Sequence, residues 1–597
     1  MLGMKKGMNN KEVADLLEMV AAAFEIKDED FFRVRAYKNA AASIEHLSSQ
    51  LKDVWDVGKL EEIPGVGPSL AQHLDELIRT GRVKHFEQEV KGLPLGMFEL
   101  MKLEGVGAKT AYKLASEFDL KDEKTAIDRL RKQILAGKIK KLQGFGEKTE
   151  DELLKAIGSV QSGSDRLLLP EAEAIAEEVV EYLRSSGLCE KIEVLGSLRR
   201  RAATVGDIDL AVMTDKPTEL MEYLLKFKGI KKVLSTGSKT TMFIHSSGRQ
   251  VDVKTQSKDR WGSMLQHYTG SKLHNIHLRK LALEKKMSLS EHGIKKGGKL
   301  YKYAGENEFY EALGLKYIPP ELREDSGEIE ASIKAGLPDL VELKEIKGDL
   351  HMHTNIEIET SHDMGVSSVS ELLNMAENLG YEYIGLSDHN PKMKGLSEVA
   401  RLKVVKRRNE AIDKEIASSE SSVKIFKGME VDIRPDGQLA VSGKVLGLLD
   451  YAVVSIHASF KQSKEEATKR VLSAFDYPKV KIFGHPTGRM LNKREGLDYD
   501  WERVFEVCRR KRIAVEINSS PERLDLPDML VRQAVKMGVL LVINTDAHEA
   551  SSMKGMKYGV GVARRGWAEA SNIINTWPYK RVEEWIRSWG WWYDVYG

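Results

Sequence analysis

Seven short apolar runs occur in the C-terminal part of this chain, and each ends in residue types that bind metal ions. In chain order the runs end at His351 and His353, Asp388 and His389, Glu430 and Asp432, His457, His485, Glu516 and Asn518, and Asp546 and His548. Helical patterns such as VSELLNMAENLG and DMLVRQAVKMG lie between the runs. A strand followed by a helix, repeated in this way, predicts a closed or nearly closed parallel barrel with its site at the C-terminal strand ends.

The residue types at these strand ends indicate a metal centre. H-x-H on one strand face places two imidazoles together, and mixed shells of histidine and carboxylate suit Zn²⁺ or Mn²⁺. This block resembles the PHP (polymerase and histidinol phosphatase) domain, a distorted (β/α)7 barrel that holds up to three metal ions for phosphoester hydrolysis. The resemblance implies the metal ligands His351, His353, Asp363, His389, Glu430, His457, His485, Asp546 and His548.

The first motif of this block departs from the family pattern. The family usually runs H-x-H-T-x-x-S-D-G, whereas HMHTNIEIETSHDMG inserts residues before the acid. We assign Asp363 as the third ligand of this motif, and Glu359 and His362 remain alternatives. A barrel that keeps only a structural role is the competing interpretation.

A second metal-binding pattern lies in EVLGSLRRRAATVGDIDLAVM, residues 193–213, which is predicted to form a strand, a tight turn and a strand. Small residues at Gly196 and Ser197 let a backbone approach a phosphate, and the three guanidinium groups of Arg199–Arg201 suit phosphate oxygens. The turn therefore predicts a phosphate-binding segment.

Three aspartates complete this pattern. Asp207 and Asp209 are two residues apart on the second strand, so their carboxylates share a face. Asp252, within RQVDVKT, supplies a third carboxylate from a neighbouring strand. Hard oxygen ligands in this number predict a site for two Mg²⁺ or Mn²⁺ ions.

Together these residues resemble the nucleotidyltransferase palm of family X DNA polymerases, in which matching aspartates hold two metal ions and a G-S-x-R-R arm contacts the incoming triphosphate. The resemblance implies catalytic roles for Asp207, Asp209 and Asp252. It also implies nucleotide contacts at Gly196, Ser197 and Arg200.

The sequence HYTGSKLHNIHLR resembles the entry to the thumb of the same family. The resemblance implies further nucleotide contacts at Tyr268, Gly270, Asn275 and Arg279. His267 stands where a tyrosine is usual, which leaves discrimination against ribonucleotides open. The segment from Lys254 to Lys302 contains twelve Lys or Arg residues and three acidic residues, a net charge of +9. The whole chain contains 92 Lys or Arg and 90 Asp or Glu residues. The electrostatic footprint for nucleic acid is therefore local.

Three segments of the N-terminal third share the pattern apolar, x, Gly, apolar, Gly: IPGVGPSLA, LEGVGAKTA and LQGFGEKTE. They look like helix-hairpin-helix motifs, in which glycines and free N–H groups at the next helix start approach a DNA phosphate. We predict DNA contacts at Gly65, Gly67, Gly105 and Gly107. The third segment is the weakest of the three and fits a purely structural hairpin equally well.

The first hairpin region also resembles a small domain that, in some family members, removes a 5′ deoxyribose phosphate through a Schiff-base lysine. Ser69 and His73 occupy the positions of those lysines, although Tyr37 is kept. Histidine cannot form an imine, so lyase activity is predicted to be weak or absent.

With 597 residues the chain exceeds a single core, and the expected fold class is multidomain α+β. The predicted domains are a helical domain (1–90), two further hairpins (91–164), a palm (165–258), a thumb (259–322), a flexible linker (323–345) and a PHP barrel (346–597).

The chain has two cysteines, Cys189 and Cys508, in different predicted domains, and no apolar run long enough for a membrane span. We expect a cytoplasmic protein without disulfides, and a monomer.

The resemblance implies a DNA-directed DNA polymerase of the bacterial and archaeal type that fills short gaps in DNA repair. Its expected partners are gapped or nicked double-stranded DNA and deoxynucleoside triphosphates. The barrel is expected to supply a 3′–5′ exonuclease or 3′-end-processing phosphoesterase activity. The alternatives are another nucleotidyltransferase, such as one that extends RNA ends, and a protein in which one catalytic half is vestigial.

Overall fold

The computed structural model describes residues 8–588 except 9, 29–30, 46–50, 57, 64, 104, 143–144, 147–148, 151–152, 154–156, 158–165, 335 and 393–394. The chain divides into two compact units, Met1–Asp165 and Arg166–Gly597. No helix in the described part of the chain has both the length and the apolarity that a bilayer crossing requires.

In its described residues the N-terminal unit consists of short helices joined by turns. Apolar side chains such as Val20, Phe24 and Ile44 are completely buried in its core. The α-helices are Asn10–Ile26, Phe31–Glu45, Leu51–Asp56, Pro68–Thr80, Lys84–Val90, Gly96–Leu100, Ala108–Glu117 and Glu123–Leu135, with 3-10 turns at Leu60–Glu62 and Ile139–Lys141.

The first two predicted hairpins each place a glycine directly before a helix. Gly67 precedes Pro68–Thr80 and Gly107 precedes Ala108–Glu117. Two residues earlier, Gly65 and Gly105 have φ of +85° and +78°, a left-handed backbone that favours glycine. In the third predicted hairpin, residues 143–144 and 147–148 lie outside the described residues.

The palm is a five-stranded sheet in the order Lys191–Val194, Ile208–Met213, Gln250–Gln256, Thr240–His245 and Ile230–Thr236. The second and third of these strands are parallel, and the other neighbours are antiparallel. A two-stranded pair, Leu167–Leu168 with Thr204–Val205, flanks the sheet. The helices of this region are Leu169–Ser185, Gly196–Arg199 and Pro217–Leu224.

The predicted tight turn at Gly196 and Ser197 is wrong in one respect. Residues Gly196–Arg199 form a single helical turn, with the Arg200 N–H donating to the carbonyl of Gly196. Gly196 has φ of +57°, which starts this turn in the left-handed region. The helical turn directs Arg199 and Arg200 toward the thumb.

The thumb begins with two helices and continues into a small antiparallel sheet. Its elements are the helices Trp261–Thr269, Lys272–Glu284 and Glu306–Ala312, the strands Met287–Ser290, Gly293–Lys296 and Lys299–Tyr301, and a 3-10 turn at Lys258–Arg260. Its core includes the fully buried Phe309 and Tyr310.

The segment predicted as a flexible linker, 323–345, is packed against its neighbours over much of its length. It contains the helix Glu328–Ile333 and follows a 3-10 turn at Pro320–Leu322. Ile329 packs in the thumb core and Val341 in the barrel core, so apolar residues anchor both ends. The expectation of a flexible tether is therefore wrong for these packed residues.

The C-terminal block is a barrel of seven parallel strands that lie next to one another in chain order, as predicted. The first strand approaches the last, where the His353 N–H donates to the Ala547 carbonyl (2.8 Å). The strands are Gly348–Met352, Tyr383–Leu386, Lys424–Asp432, Tyr451–Ser455, Val480–Phe483, Ala514–Asn518 and Leu541–Asn544.

Helices cover the outside of this barrel. They are Val369–Asn378, Glu398–Ser418, Gly443–Leu446, Lys464–Ala474, Trp501–Lys511, Asp528–Lys536, Met556–Arg565 and Tyr579–Arg587, with 3-10 turns at Leu343–Glu345, Ala550–Gly555, Ala570–Asn572 and Ile574–Thr576. The last helix docks through the buried Trp585, whose indole N–H donates to the carbonyl of Arg512.

A pair of substitutions tests the first hairpin. A Cβ on Gly65 would lie 3.0 Å from the Ala40 nitrogen at positive φ, whereas a Cβ on Gly67 meets nothing within 4 Å. We expect Gly65→Ala to lower the free energy of unfolding of this unit by about 1–2 kcal/mol, the cost of a left-handed non-glycine residue. Gly67→Ala is the matched control, expected to change it little. Hydrogen exchange of the amides of residues 69–80 measures both, and an equal loss in the two variants would contradict the expectation.

Candidate active sites

The three palm aspartates lie at one edge of the parallel strand pair. Asp209 and Asp252 are direct neighbours across the two strands, and Asp207 comes one residue before its strand begins at Ile208. Asp252 is buried, and its Oδ1 accepts a hydrogen bond from the Gln250 side chain (3.0 Å). The structure therefore brings together Asp209 and Asp252, two residues that are 43 positions apart in sequence.

Lys254 lies between two of these carboxylates. Its Nζ is 2.6 Å from Asp209 Oδ1 and 3.3 Å from Asp252 Oδ2. Burial raises the pKa of Asp209 despite this neighbour. Burial alone would lower the pKa of Lys254, but the two aspartates raise it, so the ammonium stays charged. A cation at this point is what two adjacent, largely buried carboxylates require.

Sequence reasoning missed Lys254. It lies two residues after Asp252, and the period of a strand places both side chains on the same face. That spacing was the available signal.

The arginine arm, which we define as Arg199–Arg201, follows directly on Gly196. A Cβ on Gly196 would lie 3.1 Å from Asp209 Oδ2, so the absence of a side chain lets the arm start beside the aspartates. Arg199 donates to Glu306 Oε2 (2.6 Å) and to the Thr269 hydroxyl (2.6 Å). The arm is thus anchored to the thumb.

The thumb entry lies against the arm. The Arg200 Nη1 donates to the Thr269 carbonyl (2.6 Å), and a Cβ on Gly270 would lie 3.3 Å from the same Nη1. The Tyr268 ring lies 5.0 Å from Lys254 Nζ. Gly196 therefore lies beside Asp209, Tyr268 lies beside Lys254, and Arg200 lies beside Gly270. The half-buried Ser197 lies on the same helical turn as Gly196.

The remaining two predicted nucleotide contacts lie on the next helix. Asn275 Nδ2 donates to the His267 carbonyl (2.7 Å), and its Oδ1 accepts from Gln266 (2.9 Å). This amide therefore fixes the shape of the entry. Arg279 is exposed one turn later.

Among the predicted DNA contacts, Gly67, Gly105 and Gly107 face open space, since a Cβ on any of them would meet nothing within 4 Å. The helices that follow carry no acidic residue in their first turn. These helix starts are therefore accessible to an anion. Gly65 is different, because it packs closely against the backbone of Asn39 and Ala40.

The barrel gathers histidines and carboxylates at the C-terminal ends of its strands, around a cavity of about 320 Å³. Within the described residues the ligand atoms form four groups that each lie within 4.8 Å: His353, His389 and His548; His351, His353, Glu430 and Asp546; His389, Glu430 and His457; and His362, Asp432 and His457. His485 joins through its Nε2, 2.8 Å from Glu430 Oε1. The four groups contain seven of the nine predicted ligands, and His485 is the eighth.

The ninth predicted ligand, Asp363, lies at the mouth. Its side chain is 75% exposed, yet its oxygens lie 3.5 Å from His389 Nε2 and 3.4 Å from His548 Nε2. The hydrogen bond with His389 holds the pKa of Asp363 below its usual range.

The inserted loop also delivers His362, which was an alternative to Asp363. His362 Nε2 lies 2.9 Å from Asp432 Oδ1, and His457 Nδ1 lies 2.7 Å from the same oxygen. Both residues of the loop therefore reach the cluster. Asp432 was recognised at its strand end but was absent from the predicted ligand set.

These residues fit a metal centre. Buried atoms of His351 (Nε2), Glu430 (Oε2) and His548 (Nε2) have no hydrogen-bond partner among the described residues. His351 Nε2 and Glu430 Oε2 nevertheless face each other at 3.3 Å. Unpartnered nitrogen and oxygen donors that converge in this way are what a divalent ion uses.

Hydrogen bonds and charges from neighbouring residues orient these ligands and set their protonation. Glu516 Oε1 lies 2.7 Å from His351 Nδ1, which directs the Nε2 into the cluster. Burial opposes the ionised form of Glu430, but His389, His351 and His457 hold its pKa well below the usual range. Burial lowers the pKa of His353 to about 4, which keeps this imidazole neutral.

Other strand-end residues have structural roles. Asp388 Oδ2 accepts from the buried Arg408 (2.6 Å) and does not join the four groups.

Two arginines that sequence reasoning missed, Arg494 and Arg523, line the mouth. They lie outside the strand-end runs, so the motif pattern gave no signal for them.

Family models match four segments of the chain. The matches are DNA polymerase beta thumb (264–324), helix-hairpin-helix domain (8–83), SAM-like helix-hairpin-helix tandem (98–159) and PHP domain (349–520).

Curated relatives match both the whole chain and parts of it. The DNA polymerase/3′-5′ exonuclease PolX of Bacillus subtilis (strain 168) is 35% identical over 587 residues, 97% of this chain and 100% of that protein. A probable phosphatase of Thermoanaerobacter sp. (strain X514) is 26% identical over 252 residues, 40% of this chain and 94% of that protein. DNA polymerase lambda of Arabidopsis thaliana is 24% identical over 351 residues, 53% of this chain and 62% of that protein. The chain therefore belongs to the family X DNA polymerases that carry a C-terminal PHP domain.

Proposed function

We propose that this family X polymerase fills short gaps in DNA at the palm and removes 3′ nucleotides or blocking groups at the barrel. The observation that carries the proposal is the presence, in one compact unit, of two separate metal-ligand sets: the aspartates beside the arginine arm, and the barrel cluster. We assign its substrates as deoxynucleoside triphosphates and gapped or nicked duplex DNA, its working state as a monomer, and its location as the cytoplasm.

At the palm, Asp207, Asp209 and Asp252 would hold two Mg²⁺ or Mn²⁺ ions, which activate the primer hydroxyl and neutralise the triphosphate when bound. Arg200 presents a planar guanidinium suited to bidentate contact with phosphate oxygens. Thr269 and Gly270 place the thumb entry beside that group.

At the barrel, the histidine and carboxylate cluster would hold Zn²⁺ or Mn²⁺ ions, which supply a nucleophilic hydroxide for phosphoester hydrolysis when bound. Glu516 orients His351, and the mouth arginines Arg494 and Arg523 suit the charge of a phosphodiester. With ligands present in every group, a purely structural barrel is the weaker interpretation.

Separate removal of each site tests the division of labour. We expect Asp252→Ala to reduce primer extension by at least about 10³-fold and to leave 3′ shortening intact, because a lost charged ligand removes transition-state stabilisation. His353→Ala is expected to do the reverse. The assay follows a 5′-labelled primer on a one-nucleotide gap with Mn²⁺, with and without deoxynucleotides.

Asp215→Ala, at an exposed palm acid, is the control and should leave both activities unchanged. Loss of both activities in either single variant would refute two independent sites. Extension without shortening in the wild-type protein would refute the proposed barrel activity.

The position of Lys254 predicts competition with the palm ions. Because its ammonium occupies the space between Asp209 and Asp252, we expect Lys254→Met to lower the half-saturating Mg²⁺ concentration for extension about tenfold, roughly 1.4 kcal/mol. Titration of Mg²⁺ at fixed gapped DNA measures this shift. The exposed Lys258→Met is the matched control, and an unchanged Mg²⁺ requirement in Lys254→Met would argue against competition.

We expect the group of His362, Asp432 and His457 to bind one metal ion. Two of its residues, His362 and Asp432, are not among the ligands predicted from the sequence. We expect Asp432→Asn to reduce bound metal by about one equivalent, because the amide replaces the oxygen that both histidines face. Metal analysis after equilibration with Mn²⁺ or Zn²⁺ measures the stoichiometry. Asp436→Asn, at an exposed residue four positions on, is the control. Equal metal content in Asp432→Asn and wild type would remove this group from the centre.

A further inference from the structure

We propose that Arg565 of the barrel and Glu324 of the segment after the thumb are positioning residues for DNA synthesis, because they hold the arginine arm in place. The docking helix, which we define as Met556–Arg565, belongs to the barrel and ends at Arg565. The proposal rests on the nucleotide-binding role proposed above for Arg200.

A chain of hydrogen bonds runs from the barrel to the arm. Arg200 Nε donates to Glu324 Oε1 (2.9 Å), and Arg565 Nη1 donates to the same oxygen (2.8 Å). Arg565 Nη1 also donates to the backbone carbonyl of Arg200 (2.8 Å). The other edge of Arg565 is held by Asp528 Oδ2 (2.7 Å), at the start of another barrel helix. One barrel side chain thus fixes both the backbone and the side-chain partner of Arg200.

Arginines and carboxylates alternate along this series of hydrogen bonds. Burial opposes the ionised form of Glu324, but Arg565 and Arg200 hold its pKa below the usual value. Burial also opposes the charge of Arg565, but Asp528 and Glu324 raise its pKa. Glu324 and Arg565 therefore remain charged together, and Glu324 pairs with Arg565 as well as with Arg200.

Among the described residues, the hydrogen bonds of Arg200 leave its Nη2 for an anion. Its Nε and Nη1 are engaged by Glu324 and the Thr269 carbonyl. A guanidinium carries five N–H donors in a fixed plane, so fixing these two nitrogens orients the Nη2 edge. A preorganised donor edge binds phosphate without the cost of ordering the side chain at the moment of binding.

The docking helix also contacts the next arginine of the arm. A Cβ on Gly561 would lie 3.3 Å from Arg201 Cβ, so the helix packs closely on that residue. Arg201 pairs with Glu173, whose Oε2 accepts from Lys557 Nζ (2.8 Å) and the Tyr558 hydroxyl (3.0 Å). Two consecutive arginines of the arm are therefore held from the same barrel helix.

The neighbouring residue on the docking helix provides a matched control. Arg564 Nε donates to Glu321 Oε1 (2.8 Å), and its Nη1 donates to the Val341 carbonyl (3.1 Å). This pair links the barrel to the 3-10 turn at the end of the thumb and to the segment 323–345, and none of these hydrogen bonds involves the arm. Arg564 and Glu321 therefore report on docking alone.

The test compares Arg565→Gln and Glu324→Gln with Arg564→Gln and Glu321→Gln in the full-length protein. Single-nucleotide gap filling gives KM for the deoxynucleotide and kcat. We expect the first two variants to raise KM about tenfold with kcat within threefold of wild type, in the usual range for coupling between sites. The control pair should stay within twofold of wild type.

Shortening of the primer without deoxynucleotides serves as the folding readout, since it uses the barrel cluster alone. It should stay within about twofold of wild type in all four variants. Arg565→Lys keeps the charge but cannot reach Asp528, Glu324 and the Arg200 carbonyl at once, so its KM should lie between wild type and Arg565→Gln. This variant keeps the test decisive if Arg565→Gln is unstable.

Combination with Arg200→Gln separates positioning from general destabilisation. If Arg565 acts through Arg200, the double variant should have the same KM as Arg200→Gln alone, because neighbours in one network are not additive. Multiplied effects, or equal effects of Arg564→Gln and Arg565→Gln, would overturn the inference. A normal KM in Arg565→Gln beside a raised KM in Arg200→Gln would also overturn it. A normal KM in Arg200→Gln would instead refute the proposed role of Arg200 itself.

Discussion

Neighbouring carboxylates repel one another, and both sites of this protein depend on cationic groups that hold such carboxylates together. In the palm that group is Lys254, which lies within 3.3 Å of Asp209 and Asp252. In the barrel, His351 and His389 take this place around Glu430, and His351 also faces Asp546. In each site the strands already place the carboxylates. A divalent ion can therefore replace or supplement the cationic side chain.

The strand geometry explains why so much of each site could be predicted from the sequence. The period of two predicts Asp207 and Asp209 on one face, and in the structure a parallel partner strand places Asp252 opposite Asp209, with Asp207 just before the strand. Repetition of strand and helix likewise predicted that residues such as His351 and Asp546 would meet at one end of a barrel. These predictions depend on local periodicity, which the sequence encodes directly.

The parts that could not be predicted depend on contacts between distant segments. The inserted residues after His353 gave no rule for choosing between His362 and Asp363, and the structure brings both to the cluster. The segment 323–345 was predicted to be a charged linker, because Ile329 and Val341 pack against residues of two different domains that are distant in sequence. Glu324 and Arg565 are 241 residues apart, and no local pattern indicates that they share a hydrogen bond.

One continuous stretch of the barrel serves both sites. The strand Leu541–Asn544 leads to Asp546 and His548 in the cluster, and a single 3-10 turn, Ala550–Gly555, connects these ligands to the docking helix. The docking helix packs against the last strand of the barrel, so its position on the arginine arm is fixed by the same element that places the ligands. Because packed elements of this kind move as bodies rather than bending smoothly, a displacement of the last strand would shift both the hydrolytic ligands and the support of the arm. The barrel is in this way a structural part of the synthetic site as well as a second catalytic domain.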